Sequence, residues 1–215
     1  MFDVHALKEK VESFRDFLLH ILTITIGLLI ALALEGLVEW RHHRNLVREA
    51  EASLRGEITQ NRQVMEGIYK EIDAAQAKLD QDLRVLDRLR TETAAQTAAE
   101  HASIELAFHI SGFNDVAWKT AQNTGALNYM PYGEVQAFSG IYDTQSEVQR
   151  IQQQVLDDVV QAGALIVGKK PDTPLSAALI DEETRRIGQI KMRLYYQKSI
   201  VDSLRVNFEQ YRNKP

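Results

Sequence analysis

Cysteine is absent from the 215 residues, which excludes a disulfide framework, a zinc–thiolate centre and a thiol nucleophile. Backbone breakers are scarce as well: four prolines and 11 glycines leave long stretches free to run as helix. No segment alternates apolar and polar residues over a strand's length, so no strand is expected. An excess of basic charge is missing too. With a net charge of −5, the chain lacks the electrostatic footprint of a nucleic-acid binder.

Signatures of chemistry are equally thin. The six histidines, His5, His20, His42, His43, His101 and His109, include no HExxH pair and no other metal spacing. Adjacent His42 and His43 diverge by about 100° on a helix, and with Arg41 and Arg44 they suit lipid headgroups better than a metal. Gly163 to Lys170 approaches a phosphate-binding loop, but Lys170 stands where Ser or Thr must hold magnesium, and the stretch ends a helix. His109, Ser111 and Asp115 lack the strand–turn–helix setting of a nucleophile elbow. Asp157-Asp158 falls at a helix edge, and Asp181-Glu182-Glu183 suits a helix N-terminus. No catalytic residue, cofactor or metal ligand is therefore assigned.

One long apolar run is present. Ile21 to Leu34 carries no charge over 14 residues, and Phe17 to Val38 holds fourteen residues drawn from Leu, Ile, Val and Phe. These favour membrane insertion by roughly 4 to 8 kcal/mol, more than the ~3 kcal/mol that Glu35 costs at mid-bilayer. As a helix the 22 residues from Phe17 to Val38 reach about 33 Å, which matches a ~30 Å hydrocarbon core. Ala31-Leu32-Ala33 resembles a signal-peptide cleavage site, yet residues 1–16 mix Lys8, Lys10 and Arg15 with Asp3, Glu9, Glu12 and Asp16. A signal peptide's leading region is clearly positive, so an uncleaved anchor is expected.

Before the run, Phe2, Val4, Leu7, Val11 and Phe14 recur at helical spacing, as on an amphipathic helix lying in the headgroup layer. Within it, Thr23, Gly27, Ala31 and Glu35 share one face, the small-residue pattern that lets membrane helices approach closely. Basic residues on the two sides of the span balance, Lys8, Lys10 and Arg15 against Arg41, Arg44 and Arg48, so charge does not choose an orientation.

Beyond Trp40 the chain reads as helices with single apolar stripes. Leu54, Ile58, Asn61, Met65, Ile68, Ile72 and Leu79 step by fours, threes and one seven, a heptad seam with Asn61 as its polar member. Leu83 and Leu86 continue it after a shift that resembles a stutter. A short helix is expected over Ile104–Ile110, and Asn114 is placed to cap the next, which Gly125 ends. Pro131 opens a helix striped by Val135, Phe138, Ile141/Tyr142, Val148, Ile151, Val155, Val159, Ala162 and Ile166, which the sequence GKKP at 168–171 stops. Thr173-Pro174 starts a last helix striped from Ile187 to Tyr211.

The scarce aromatics cluster between Phe113 and Tyr142. Phe113, Trp118, Asn123, Asn128, Phe138 and Tyr142 form either a helix–turn–helix corner or a ligand pocket.

Taken together, the sequence predicts an all-α protein. Residues 1–16 form an amphipathic interfacial helix and 17–38 a single transmembrane anchor. Residues 39–215 form an elongated antiparallel helical bundle or coiled coil, with its corner around 113–142. The anchor ITIGLLIALALEGLVEW, the charged helix after it, and Trp118, Ala121, Gly125, Leu127, Phe138 and Tyr142 resemble a family of uncharacterised bacterial single-pass inner-membrane proteins. That resemblance implies an extracytoplasmic body and assigns no reaction or cofactor. The expected function is a non-enzymatic membrane scaffold or accessory subunit. Its expected partners are membrane lipid and protein (a second copy or a larger membrane complex), with no nucleic acid. The alternative is a membrane-tethered sensor with a pocket near Trp118.

Overall fold

Long unbroken stripes demand long helices, and these are what forms. The computed structural model describes residues 14–91, 110–167 and 175–212, and among them every regular element is helical. Helix α1 spans Phe14–Thr91, α2 Val116–Asn123, a 3-10 turn Ala126–Tyr129, α3 Tyr132–Ile166 and α4 Ala177–Arg212. Most of the expected interfacial helix, the Ile104–His109 stretch and the turn at 168–173 lie outside the described residues. The chain divides into two compact units, Met1–Glu49 and Ala50–Pro215.

In the second unit each long helix buries a seam that steps by three and four residues. On α1 the seam runs through Leu54, Ile58, Asn61, Met65, Ile68, Ile72, Leu79, Asp82, Leu86 and Leu89, with Glu57 and Val85 buried beside it and half-buried Ala75 bridging Ile72 and Leu79. The expected stutter at Leu83 does not occur. Asp82 holds the heptad position and Leu83 is only half-buried. On α3 the seam runs through Phe138, Ile141, Gln145, Val148, Gln152, Val155 and Ala162. On α4 it runs through Ile180, Glu183, Ile187, Ile190, Leu194, Gln197, Val201, Leu204 and Phe208. Three stripes facing one another form the core.

Polar pairs along the flanks show the directions. Between α1 and α4, Glu66 pairs with Arg205, Asp73 with Lys198 and Asp80 with Lys191, so one helix ascends by sevens as the other descends. Tyr69 receives Lys198 and Arg205, each 4.6 Å from its ring centre. Between α3 and α4, Gln161 bonds Arg186 and Gln154 bonds Arg193, again antiparallel. Glu57 meets Tyr142 and Asn61 meets Gln145, so α1 and α3 run parallel, with α4 as their shared antiparallel neighbour. Exposed ion pairs contribute about 0–1 kcal/mol each. The apolar seams supply the stability, and the pairs fix the register.

The helix ends differ in detail from the sequence expectation. Pro131 precedes the first residue of α3, where its missing N–H costs nothing. Ser176 caps α4: its hydroxyl accepts the Leu179 N–H at 3.3 Å, and the expected start at Thr173-Pro174 lies outside the described residues. Gly125, at φ 73°, takes the left-handed conformation that turns the chain from α2 into the 3-10 turn.

Two carboxylates sit in the α1/α4 seam. Asp82 is 0% and Glu183 1% exposed. Lys78 lies 3.3 Å from Asp82, whereas neither Glu183 oxygen has a hydrogen-bond partner among the described residues. Burial, with Glu182 and Asp82 adding to it against Arg186, pushes the Glu183 carboxyl up to about 7. An acid whose folded-state value exceeds its unfolded value of about 4.3 binds its proton more tightly in the folded protein. The stabilisation is therefore full below about pH 4 and is lost as pH rises through 7. The bundle is expected to melt at a higher temperature at pH 5.5 than at pH 8. Glu183→Gln is expected to flatten that slope and to add on the order of 2–3 kcal/mol at pH 8, as denaturant titrations at the two pH values will measure.

Candidate functional site

The first unit is defined by what it leaves uncovered. Every residue of α1 from Phe14 to His42 is exposed, including Leu18, Leu22, Ile26, Leu29, Leu34 and Trp40. The stretch is long and apolar enough to cross a membrane, a description that a signal sequence also meets. Its polar groups turn back on the helix. Thr23 and Thr25 donate to the carbonyls of Leu19 and Ile21 at 2.8 Å, and His20 Nδ1 lies 2.8 Å from the Asp16 carbonyl. Hydrocarbon offers no water to such groups, so internal satisfaction of this kind suits it. Thr23, Gly27, Ala31 and Glu35 are all exposed, and a methyl group built on Gly27 would meet nothing within 4 Å.

In the second unit α2, the turn at Gly125 and α3 form a helix–turn–helix corner. Ile110–Asp115 has no regular structure, so its backbone groups need partners from elsewhere. Side chains of α1 and α3 supply them. Asn61 grips Asn114 at two points, accepting its N–H at 2.9 Å and donating to its carbonyl at 2.6 Å. Asn61 also donates to Gln145 at 3.1 Å, and Gln149 donates to the Phe113 carbonyl at 3.2 Å. Ser111 donates to Glu71 at 3.0 Å, and His109 lies outside the described residues.

Glu57 completes the clamp. One oxygen accepts the Ala117 N–H at 2.8 Å and the other the Tyr142 hydroxyl at 2.7 Å. This caps α2 from another helix, where Asn114 was the expected cap and Asp115 makes no side-chain capping bond. Burial and the Glu57 carboxylate hold the Tyr142 phenol well above its ordinary value. Trp118 stacks on Tyr142 with ring centres 5.1 Å apart and planes 12° apart. Phe138 is fully buried and Phe113 nearly so, and Phe138 packs against Tyr211 at 5.1 Å. Asn123 and Asn128 do not join them, being exposed. A surface hollow of about 230 Å³ is lined by Gly133, Gln136, Ala137, Gly140, Asn207, Gln210 and Tyr211, and a larger, shallower one lies between α3 and α4 at Asp158 and Arg193; Trp118 is in the walls of neither.

The predicted seam residues Leu54, Ile58, Asn61, Met65, Ile68, Ile72 and Leu79 are buried inside this chain's own bundle. They are not available to a partner. Gly163 lies within α3, while Gly168, Lys169 and Lys170 fall outside the described residues. Of the acids weighed as catalytic pairs, Asp158 bonds Arg193, Asp181 pairs with Arg90, and Glu182 bonds Arg185 and Arg186. Among the described residues no group of three or more His, Asp or Glu is placed to hold a metal ion. No protein-family model, curated protein or solved structure matches the chain significantly.

The two-point grip on Asn114 makes a sharp prediction. Replacing a lone seam Asn with Leu ordinarily stabilises a coiled coil. Asn61→Leu is expected instead to destabilise this bundle by about 2–4 kcal/mol, because the Asn114 backbone loses both partners. Urea titration will measure it. A gain in stability would show that the grip contributes nothing.

Proposed function

We propose that the chain is a membrane-anchored helical scaffold or accessory subunit, without catalytic activity of its own, acting through self-association or attachment to a larger membrane complex. One observation carries this reading. The bundle buries its own seams, yet Leu18 to Trp40 presents large apolar side chains that are 46–69% exposed. A continuous apolar surface of this kind requires a non-aqueous neighbour, and roughly 4 to 8 kcal/mol of insertion free energy favours lipid. The placement is a single pass through a bacterial inner membrane with an extracytoplasmic body, as the family resemblance implies.

Because the heptad seams are consumed internally, the anchor offers the most direct contact with another helix. Thr23, Gly27, Ala31 and Glu35 lie on one face with open space at Gly27. The ligand-binding alternative loses support, since the Trp118 ring is stacked on Tyr142 and the Tyr142 hydroxyl is held by Glu57.

Light scattering of the detergent-solubilised chain tests the proposal. The expected mass exceeds a monomer, or a stoichiometric protein co-purifies, and Gly27→Leu weakens the association about three- to tenfold. A strict monomer with no accompanying protein contradicts it.

A further inference from the structure

The helix immediately past the apolar run separates its charges by face. At 3.6 residues per turn, Arg41, Arg44 and Arg48 fall within about 60° of one another, with Trp40 at their edge. Glu35, Glu39 and Glu49 fall together on the opposite side, within about 80°. All six charged residues are exposed. The guanidinium of Arg44 lies 5.3 Å from the centre of the Trp40 ring, a cation–π contact that holds the charge beside the aromatic. Arg48 donates to Asn45 at 2.9 Å, which leaves the rest of its donor fork to outside acceptors. Glu39 approaches His43 at 4.0 Å, on the acidic side rather than the arginine side. One acid, Glu51, falls on the arginine side in angle, about 4.5 Å beyond Arg48 along the axis, and it interacts with Arg55 and Glu134.

We infer that Arg41, Arg44 and Arg48, together with Trp40, form a binding face for the phosphate groups of anionic phospholipid headgroups. The inference rests on the proposed membrane anchor. Distance along the helix agrees with it. The three arginines sit about 1.5, 6 and 12 Å beyond Trp40, against a headgroup layer of about 5–8 Å on each side of the hydrocarbon. Arg41 and Arg44 therefore lie among phosphates, and Arg48 lies within a Debye length of about 8–10 Å from them. Arginine forks match phosphate oxygens in pairs, and tryptophan at the same depth fixes the helix at the interface. Glu35, Glu39 and Glu49 lie on the other side of the helix, so a headgroup seated against the three arginines is not opposed by these carboxylates.

The full chain, reconstituted in phosphatidylcholine bilayers, is probed with trace spin-labelled phosphatidylglycerol or phosphatidylcholine. The motionally restricted fraction of each lipid is read by electron paramagnetic resonance. The expected preference for phosphatidylglycerol is about three- to tenfold. It collapses to parity in R41Q/R44Q/R48Q and in molar salt, and persists in E35Q/E39Q/E49Q. A chain that does not enter phosphatidylcholine bilayers overturns the anchor, and this inference with it. A chain that enters but holds both lipids equally overturns the headgroup face alone. So does lipid parity accompanied by an acidic protein that co-purifies through the three arginines.

Discussion

The large apolar side chains of α1 between Leu18 and Trp40 are exposed among the described residues, and much else follows from that constraint. Such a stretch either finds hydrocarbon or drives aggregation. Its few polar side chains obey the same demand, since the Thr23 and Thr25 hydroxyls return to carbonyls of their own helix. Where the apolar run ends, Trp40, Arg41 and Arg44 supply the side-chain chemistry that suits a boundary between oil and water. The functional proposal is a consequence of this change of solvent along one helix. It does not depend on an active site.

The bundle meets a different demand. Three helices with one stripe each close a core without help from another chain, yet that core is not uniformly apolar. Asn61, Asp82, Gln145, Gln152, Glu183 and Gln197 are all buried. At the corner the polar groups are used: Asn61, Glu57 and Gln149 hold backbone that its own segment leaves unsatisfied, and Gln145 braces Asn61. At Glu183 the same polarity weakens the core at neutral pH, because a desolvated carboxylate is costly. The core thus contains a polar group that stabilises by gripping and another whose charge opposes folding.

Much of this was legible in the sequence, and the exceptions share a cause. Helix existence followed from the three-and-four spacing and the scarcity of Pro and Gly. Asp82 stands three residues after Leu79 and four before Leu86, and Glu183 stands three after Ile180 and four before Ile187. Counting spacing without regard to hydrophobicity places both in the core. Favouring apolar residues shifted the seam to Leu83 instead. The use of Asn61 was hidden for another reason. Its partner, Asn114, is 53 residues away, and a side chain that binds backbone leaves no pattern in the partner's residue type. Composition points to the aromatics between Phe113 and Tyr142 but does not reveal whether rings line a hollow or stack on each other. Trp118 and Tyr142 stack.

The central claim is that lipid is the solvent of α1 between Leu18 and Val38. The absence of cysteine from the chain makes the direct test simple, because each thiol introduced is the sole thiol. Single substitutions Leu22→Cys, Ile26→Cys, Ile30→Cys and Asn45→Cys are exposed to a membrane-impermeant maleimide in open membrane sheets. Cysteines at 22, 26 and 30 are predicted to stay unlabelled until detergent is added, while that at 45 labels at once. Prompt labelling at all four positions before detergent would contradict the account.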